Sequence, residues 1–314
     1  MTKLSESKVL IVGGTGHIGR RLVRASLALN HPTYVLFREE NLNDIEKIEL
    51  LLDFKQNGAR LVMGSFDNRE SLLNAVKQVD IVISALAANH VRHEIITQLK
   101  LLDVIIEAGH IKRFIPSEFG MDPDIMVGAL PPGNKTFIDK SKVRRAIEAA
   151  GVPHTYVSAN CYAAYFVGGL GQIGPGLIPS QEKVALFGDG EAKVIWNDEM
   201  DIATYVLKAA DDPRTLNKAI FIRPPDNILS QRELVQIWEK LIGHELKKTN
   251  ISSQEWLKSM EGMPEGLQLA MAHNFHIFYE GCLTNFPVGD DQEASKLYPE
   301  VRYTSMEEYL KRYL

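Results

Sequence analysis

The 314-residue sequence predicts an α/β fold, a doubly wound parallel sheet joined to a smaller mixed α/β lobe. Three observations carry that expectation. Short apolar, β-branched runs alternate with helical spacing through the first half, a glycine-rich loop directly follows the first run, and the alternation loosens beyond Asn160. Strands that stay apolar at every position belong to a sheet covered on both faces, because a sheet with one wet face alternates polar and apolar residues.

The elements follow in order. Residues 8–12 read as the first strand, and Ile18, Leu22, Ala25 and Leu29 as the apolar stripe of the helix after it. Strands are expected at 33–37, 60–63, 81–84, 113–116 and 155–159, with helices at 45–54, 69–76, 95–108 and 137–150 between them. Further on, 183–187 and 193–196 read as strands around a Gly188-Asp189-Gly190 turn, and 198–209, 230–241 and 253–260 as helices. Ser230-x-x-Glu233 is a capping box, which fixes the start of its helix. Residues 219–222 are expected to return to the main sheet. The division is 1–157 for a nucleotide-binding domain and 158–314 for the smaller lobe.

Composition excludes several classes. Hydrophobic residues at 45% and charged residues at 24% suit a chain with a sizeable core and exclude a disordered tail. Lys and Arg number 35 against 40 Asp and Glu, leaving −5, so the basic footprint of a nucleic-acid binder is missing. Cys161 and Cys282, 121 positions apart, form neither a disulfide framework nor a zinc spacing. The opening Met-Thr-Lys-Leu-Ser-Glu-Ser has no apolar leader, so the cytoplasm is the expected compartment. Residues 155–181 hold no charge, and 27 residues could span a bilayer. Seven Gly and Pro residues from Gly168 to Pro179 break that stretch, so it reads as a strand, a short helix and a glycine-rich loop lining an apolar cleft. No membrane association is expected.

The loop Gly13-Gly14-Thr15-Gly16-His17-Ile18-Gly19 stands between a strand and a helix, the context that a dinucleotide-binding loop requires. Gly13 would make the tight turn, Gly16 would admit a pyrophosphate close to the backbone, and Gly19 would let the helix pack on the sheet. The helix N-terminus then offers N–H groups to phosphate. That makes the fold Rossmann-type. The second strand ends at Arg38, where an arginine accommodates the 2′-phosphate of NADPH, and Lys47 offers a second cation.

Short-chain dehydrogenases protonate a carbonyl with Tyr-x-x-x-Lys, yet none of the ten tyrosines has a lysine four residues later. At that place the chain reads Thr136-Phe137-Ile138-Asp139-Lys140. Ordinary alcohol–ketone chemistry loses its proton donor, and Lys140 remains as the acid–base group, with Arg144 one turn on. A neighbouring cation and partial burial would lower the lysine pKa. The pairs His90/His93 and His273/His276 lack the glutamate of a zinc hydrolase, so no metal is expected. No Gly-x-Ser-x-Gly elbow is present. His273 and His276 lie among Phe275, Phe278 and Tyr279, a setting for substrate contact.

Taken together, the glycine loop, Arg-Phe-Ile-Pro-Ser-Glu-Phe-Gly at 113–120, Lys140 followed by Val-Arg-Arg-Ala-Ile-Glu, and Thr-Tyr-Val-Ser-Ala-Asn-Cys-Tyr at 155–162 resemble the plant isoflavone-reductase-like family of atypical short-chain dehydrogenases. Within it, His90-Val91-Arg92, Glu118 to Pro123, Gly281-Cys282-Leu283-Thr284 and Glu293 to Glu300 are most similar to the pinoresinol–lariciresinol reductases. The resemblance covers essentially the whole chain.

It implies an NADPH-dependent oxidoreductase acting on a small phenolic lignan, and a homodimer. Residues Gly13 to Gly19, Arg38, Lys47 and Arg144 match the family's cofactor contacts, Lys140 its proton acceptor and His273 a substrate contact. The expected set is completed by Ser84, Ala85, Asn160 and Lys140 itself on the cofactor side. On the substrate side it is completed by His276, Phe166, Met121 and His90. His17 stands where the family more often has an aromatic residue. Ala87-Ala88-Asn89 and His93-Glu94 also depart from the family's pattern, which puts substrate preference and stereochemistry in doubt.

The implied reaction opens the benzylic ethers of furofuran and furan lignans, pinoresinol to lariciresinol and on to secoisolariciresinol, through a quinone methide. Three alternatives stand beside it. A relative within the family could act on a phenylcoumaran ether or an isoflavone. A non-catalytic NADPH sensor would have no use for Lys140. A sugar or steroid dehydrogenase would need the missing tyrosine.

Overall fold

The computed structural model describes residues 7–87, 94–172 and 178–314. Its first half is β1 (Val9–Val12), α1 (Gly19–Ala28), β2 (Thr33–Phe37), α2 (Ile45–Gln56), β3 (Arg60–Met63), α3 (Arg69–Val76), β4 (Ile81–Ser84), α4 (Gln98–Ala108), β5 (Arg113–Ile115), α5 (Asn134–Ala149) and β6 (Thr155–Ser158). Five strands pair in the order β3-β2-β1-β4-β5, all parallel. Phe114 bridges to His154, and its N–H donates to the Pro153 carbonyl, which brings β6 alongside β5.

Side chains of the strands divide between two layers. Val9, Ile11, Val35, Ile81 and Ile83 join one cluster with Leu22 and Val23 of α1 and Phe54 of α2. Leu10, Val12, Tyr34, Leu36 and Val82 join the other, with Leu72 and Val76 of α3, Leu101 and Val104 of α4, and Val143 and Ile147 of α5. Both faces of β1, β2, β4 and β5 are dry apart from the end of β2, hence their apolar runs, whereas the edge strand β3 is partly exposed.

The second half continues with β7 (Cys161–Tyr162), α6 (Ala163–Phe166), β8 (Lys183–Phe187), β9 (Lys193–Asn197), α7 (Glu199–Ala210), β10 (Lys218–Phe221), β11 (Ile228–Ser230), α8 (Gln231–Ile242), β12 (Lys247–Ile251), α9 (Ser253–Ser259), α10 (Glu265–Phe278), α11 (Ala294–Leu297) and α12 (Met306–Leu310). β10 pairs in parallel with β6, so the chain does return to the main sheet near 219–222. α7 returns as well: Ile202, Tyr205 and Val206 pack into the α1 layer. α11 joins the same layer through Ala294 and Leu297, and most of the other elements build a separate core around Trp196, Trp238, Trp256, Phe187 and Phe278. Two small sheets, β11-β9-β7 and β12-β8, frame it.

The capping box at Ser230 forms: the Glu233 N–H donates to Ser230 Oγ, and the Ser230 N–H to the Glu233 carboxylate. Similar boxes at Ser252/Glu255 and Ser305/Glu308 start α9 and α12. α10 is an element that the sequence reading did not anticipate, and it carries both His273 and His276. Among the described residues no helix is long and apolar enough to cross a membrane.

Candidate active site

The glycine loop turns sharply at the carboxyl end of β1. Gly13 adopts φ +83°, and a Cβ there would lie 2.6 Å from the Ala85 carbonyl oxygen; one on Gly19 would lie 2.0 Å from the Gly13 carbonyl oxygen. No larger residue fits either position without moving backbone. Gly14 and Gly19 line neither of the cavities described below, so their role is to let α1 approach the sheet.

Two adjoining cavities open over the carboxyl ends of β1 and β4, where open α/β sheets bind ligands. The first, about 330 Å³, is walled by Gly13, Thr15 and Gly16, by Arg38 and Asn41 after β2, by Phe66 and Asp67 after β3, and by Lys100 of α4. The Arg38 N–H donates to Asn41 Oδ1 at 2.9 Å, which fixes the turn. The Arg38 side chain is exposed and makes no ion pair among the described residues. Lys47 does not reach this cavity. Its ammonium pairs with Asp44 at 2.7 Å, on the first turn of α2. The second cation at the cavity is instead Lys100, 3.4 Å from Asp67 and too far from Arg38 in sequence to be read as its partner. A glycine cradle, a helix N-terminus and an unpaired arginine at the end of β2 together fit a dinucleotide carrying a 2′-phosphate.

The second cavity, about 310 Å³, shares Gly16, Ala85, Leu86 and Ala87 with the first. Its wall includes His17, Ile18, Met121, Phe137, Lys140, Asn160, Tyr162, Tyr165, Phe166 and His273. Asn160, Cys161, Tyr162, Tyr165 and Phe166 supply one side of it, so the charge-free stretch does line an apolar cleft. Tyr162, Tyr165 and Cys161 were not singled out from the sequence as site residues. Ser84 ends β4 with its Oγ buried and no partner among the described residues, and it lines neither cavity; Ala85 lines both. Asn160 holds a left-handed φ of 59° and donates from Nδ2 to the Ile222 carbonyl at 2.8 Å. The His17 ring stacks on Tyr165 at 4.8 Å, and its Nε2 lies 3.6 Å from Glu199. His90 lies outside the described residues.

Lys140 is 6% exposed on α5 and faces the cavity. Its Nζ donates to the Glu118 carbonyl at 2.9 Å and reaches the Met121 carbonyl at 3.5 Å. Burial pulls its pKa down to about 8, with the Glu118 carboxylate opposing that fall and Arg144 adding to it. His273 donates from Nε2 to the Gly133 carbonyl at 3.0 Å, and its ring packs on Phe137 at 5.0 Å. Burial lowers its pKa to about 4, so the ring is neutral and lines the cavity as an aromatic face.

Arg144 and His276 lie away from both cavities. Arg144 lines neither of them. Its Nε and Nη2 bind Glu118, while its Nη1 and Nη2 bind Asp122 at 3.0 and 2.9 Å, and Nη1 also meets Asp124 at 2.9 Å. Every edge of the guanidinium is taken. His276 points away from the cavity: Nε2 accepts from the Leu130 N–H at 2.9 Å and Nδ1 donates to Glu280 at 2.6 Å. Nε2 fastens α10 to the segment before α5, while Nδ1 holds Glu280 just beyond the end of α10.

The NmrA-like family model matches residues 5–310. Bifunctional pinoresinol-lariciresinol reductase 2 of Thuja plicata is 59% identical over 309 residues, covering 98% of this chain and 99% of that one. Pinoresinol reductase 1 of Arabidopsis thaliana is 56% identical over 313 residues, covering 99% and 98%. The solved structure of AtPrR2 with NADP+ and (+)pinoresinol has a TM-score of 0.96 at 54% identity over 99% of each chain. The chain belongs to the NmrA-like family, within its isoflavone-reductase-like group.

Proposed function

We propose that this chain is an NADPH-dependent reductase that opens the benzylic ethers of furofuran and furan lignans, converting pinoresinol to lariciresinol and on to secoisolariciresinol. The observation that carries the reading is Lys140: a buried amine with a pKa near 8, in an aromatic cavity that adjoins the dinucleotide trough. NADPH, when bound, supplies the hydride. Thr15, Gly16 and the α1 N-terminus would hold its phosphates, and Arg38 with Lys100 its 2′-phosphate.

Lys140 takes the proton of a phenol para to the benzylic carbon, so the ring's electrons can break the ether bond and leave a quinone methide. An unperturbed phenol titrates near 10 and the lysine at about 8, so the transfer is uphill by only about two pKa units. No carbonyl is reduced, which explains how Thr136 can stand where a carbonyl reductase needs tyrosine. Phe137, Phe166, Tyr162, Tyr165 and neutral His273 give the aromatic substrate apolar faces and no competing charge.

The relative from Thuja plicata is named for both reductions and the one from Arabidopsis thaliana for the first only. The second step is therefore read from products of incubation with NADPH and each pinoresinol enantiomer. The mechanism is tested with the phenol O-methylated. One added carbon costs a hydrophobic site about 1–3 kcal/mol of discrimination. Loss of the transferable proton should stop turnover while affinity falls modestly; equal turnover on both substrates overturns the mechanism.

Residues 1–157 are read as the cofactor-binding domain and 158–314 as the substrate lobe with three returning elements, β10, α7 and α11. Free, buried Cys161 and Cys282 support a reducing, cytoplasmic compartment. The homodimer implied by the resemblance is read by sedimentation.

A further inference from the structure

The loop between β5 and α5 surrounds the Lys140 nitrogen and is fastened at each point. Ser117 donates from its N–H to Gln98 Oε1 at 2.6 Å. The Gly120 carbonyl accepts from Ser158 Oγ at 2.7 Å and from the Asn160 N–H at 3.3 Å. That leaves the carbonyls of Glu118 and Met121 for Lys140. The side chains on either side of those carbonyls, Glu118 and Asp122, are both gripped by Arg144, one turn further along α5. Glu118 is 3% exposed, Asp122 6% and Arg144 2%. Arg144 also lies over the Tyr156 ring at 4.3 Å, which holds its guanidinium plane.

A neutral amine has two N–H groups and one lone pair. With both N–H groups given to the Glu118 and Met121 carbonyls, one tetrahedral vertex is left, and it carries the lone pair. A base needs that vertex aimed at the incoming proton.

We propose that Arg144 is a positioning residue for Lys140: by clamping Glu118 and Asp122 it fixes the two peptide carbonyls, and the charge around them, that turn the free vertex of the lysine nitrogen toward the substrate. The proposal rests on Lys140 as the proton acceptor. The charged and titratable groups facing that nitrogen are Glu118 and Asp122 from the loop, Arg144 from its own helix and His273 from α10. Glu118 and Asp122 favour the ammonium and Arg144 disfavours it.

The test uses the full chain and three variants, with NADPH titration, kcat, KM and the pH profile of kcat on pinoresinol. Arg144→Lys keeps the charge but loses the two-pronged grip. It should lower kcat by about 10- to 100-fold, the scale of a misplaced catalytic group, with NADPH affinity unchanged. Asp122→Asn keeps an oxygen for Arg144 but removes a negative charge, so the rise of kcat with pH should move to lower pH. If Arg144→Lys does not fold, Asp122→Asn decides alone. Wild-type kcat in Arg144→Lys, a loss confined to NADPH binding, or an unmoved profile in Asp122→Asn overturns the proposal. Lys140→Ala separates the two readings: retained turnover removes the proton acceptor itself, whereas lost turnover beside a wild-type Arg144→Lys removes only the clamp.

Discussion

At the scale of single residues, Lys140 and Arg38 make the sharpest claims. Lys140→Ala should leave NADPH affinity intact and reduce turnover about 10²–10⁴-fold, the usual contribution of a general base. Because the base works as the neutral amine and burial sets its pKa at about 8, kcat should rise with pH and level off above that value. Rapid-quench assays of wild type across pH 6–10 read this directly; a rate that falls over the same range would contradict it. Arg38→Ala should reduce the preference for NADPH over NADH by tenfold or more, since a charge-assisted contact is worth about 1.5–3 kcal/mol. Lys47→Ala should leave the preference alone, because Lys47 does not line the nucleotide cavity. Parallel titrations with both nucleotides check the pair. Lys140 and Arg38 were legible because each stands at a fixed offset in a local motif. The positions of Arg144 and His276 away from both cavities were not legible, for the opposite reason. Arg144's partners lie 20 to 26 positions upstream in the loop, and the Leu130 N–H that occupies Nε2 of His276 is 146 positions away, separations to which no spacing rule applies.

Elements were legible in proportion to how completely burial shaped them. β2 and β4 begin and end where the apolar runs place them, since buried parallel strands are written as such runs between helical spacings; β3 and β8 match as well, although β3 is an edge strand with both ends exposed. β12 reads Lys-Lys-Thr-Asn-Ile and is mostly exposed, so it leaves no such trace. β7 and β11 are too short to show a period. α10 escaped because its apolar residues run almost all round it: Met271, Ala272, Ile277 and Phe278 are buried while Leu267 is exposed. α1 supplies the test at this scale. Gly19→Ala places a methyl against the Gly13 carbonyl, a backbone atom that cannot swing aside. Overpacking of that kind costs on the order of 1–3 kcal/mol and should distort the phosphate cradle, lowering both the denaturant midpoint and NADPH affinity. Unchanged values of both would show that the loop yields more freely than its geometry indicates.

Over the whole molecule, the two halves share one sheet. β10 extends it beyond β6 and α7 covers α1, so the lobe that supplies the aromatic wall also completes the nucleotide-binding layer. The same economy appears at the site, where Gly16, Ala85, Leu86 and Ala87 belong to both cavities. In steady-state terms a common wall imposes a sequence on the visitors. Whatever occupies the glycine cradle becomes part of the surface that the lignan meets, so the lignan's full pocket exists only once the nucleotide is in. Reduction should therefore follow compulsory order, nucleotide first on and last off. NADP+ should compete with NADPH, and the lignan product should inhibit non-competitively against NADPH. Initial-rate patterns in which each product competes only with its own substrate would instead describe two doors that open independently.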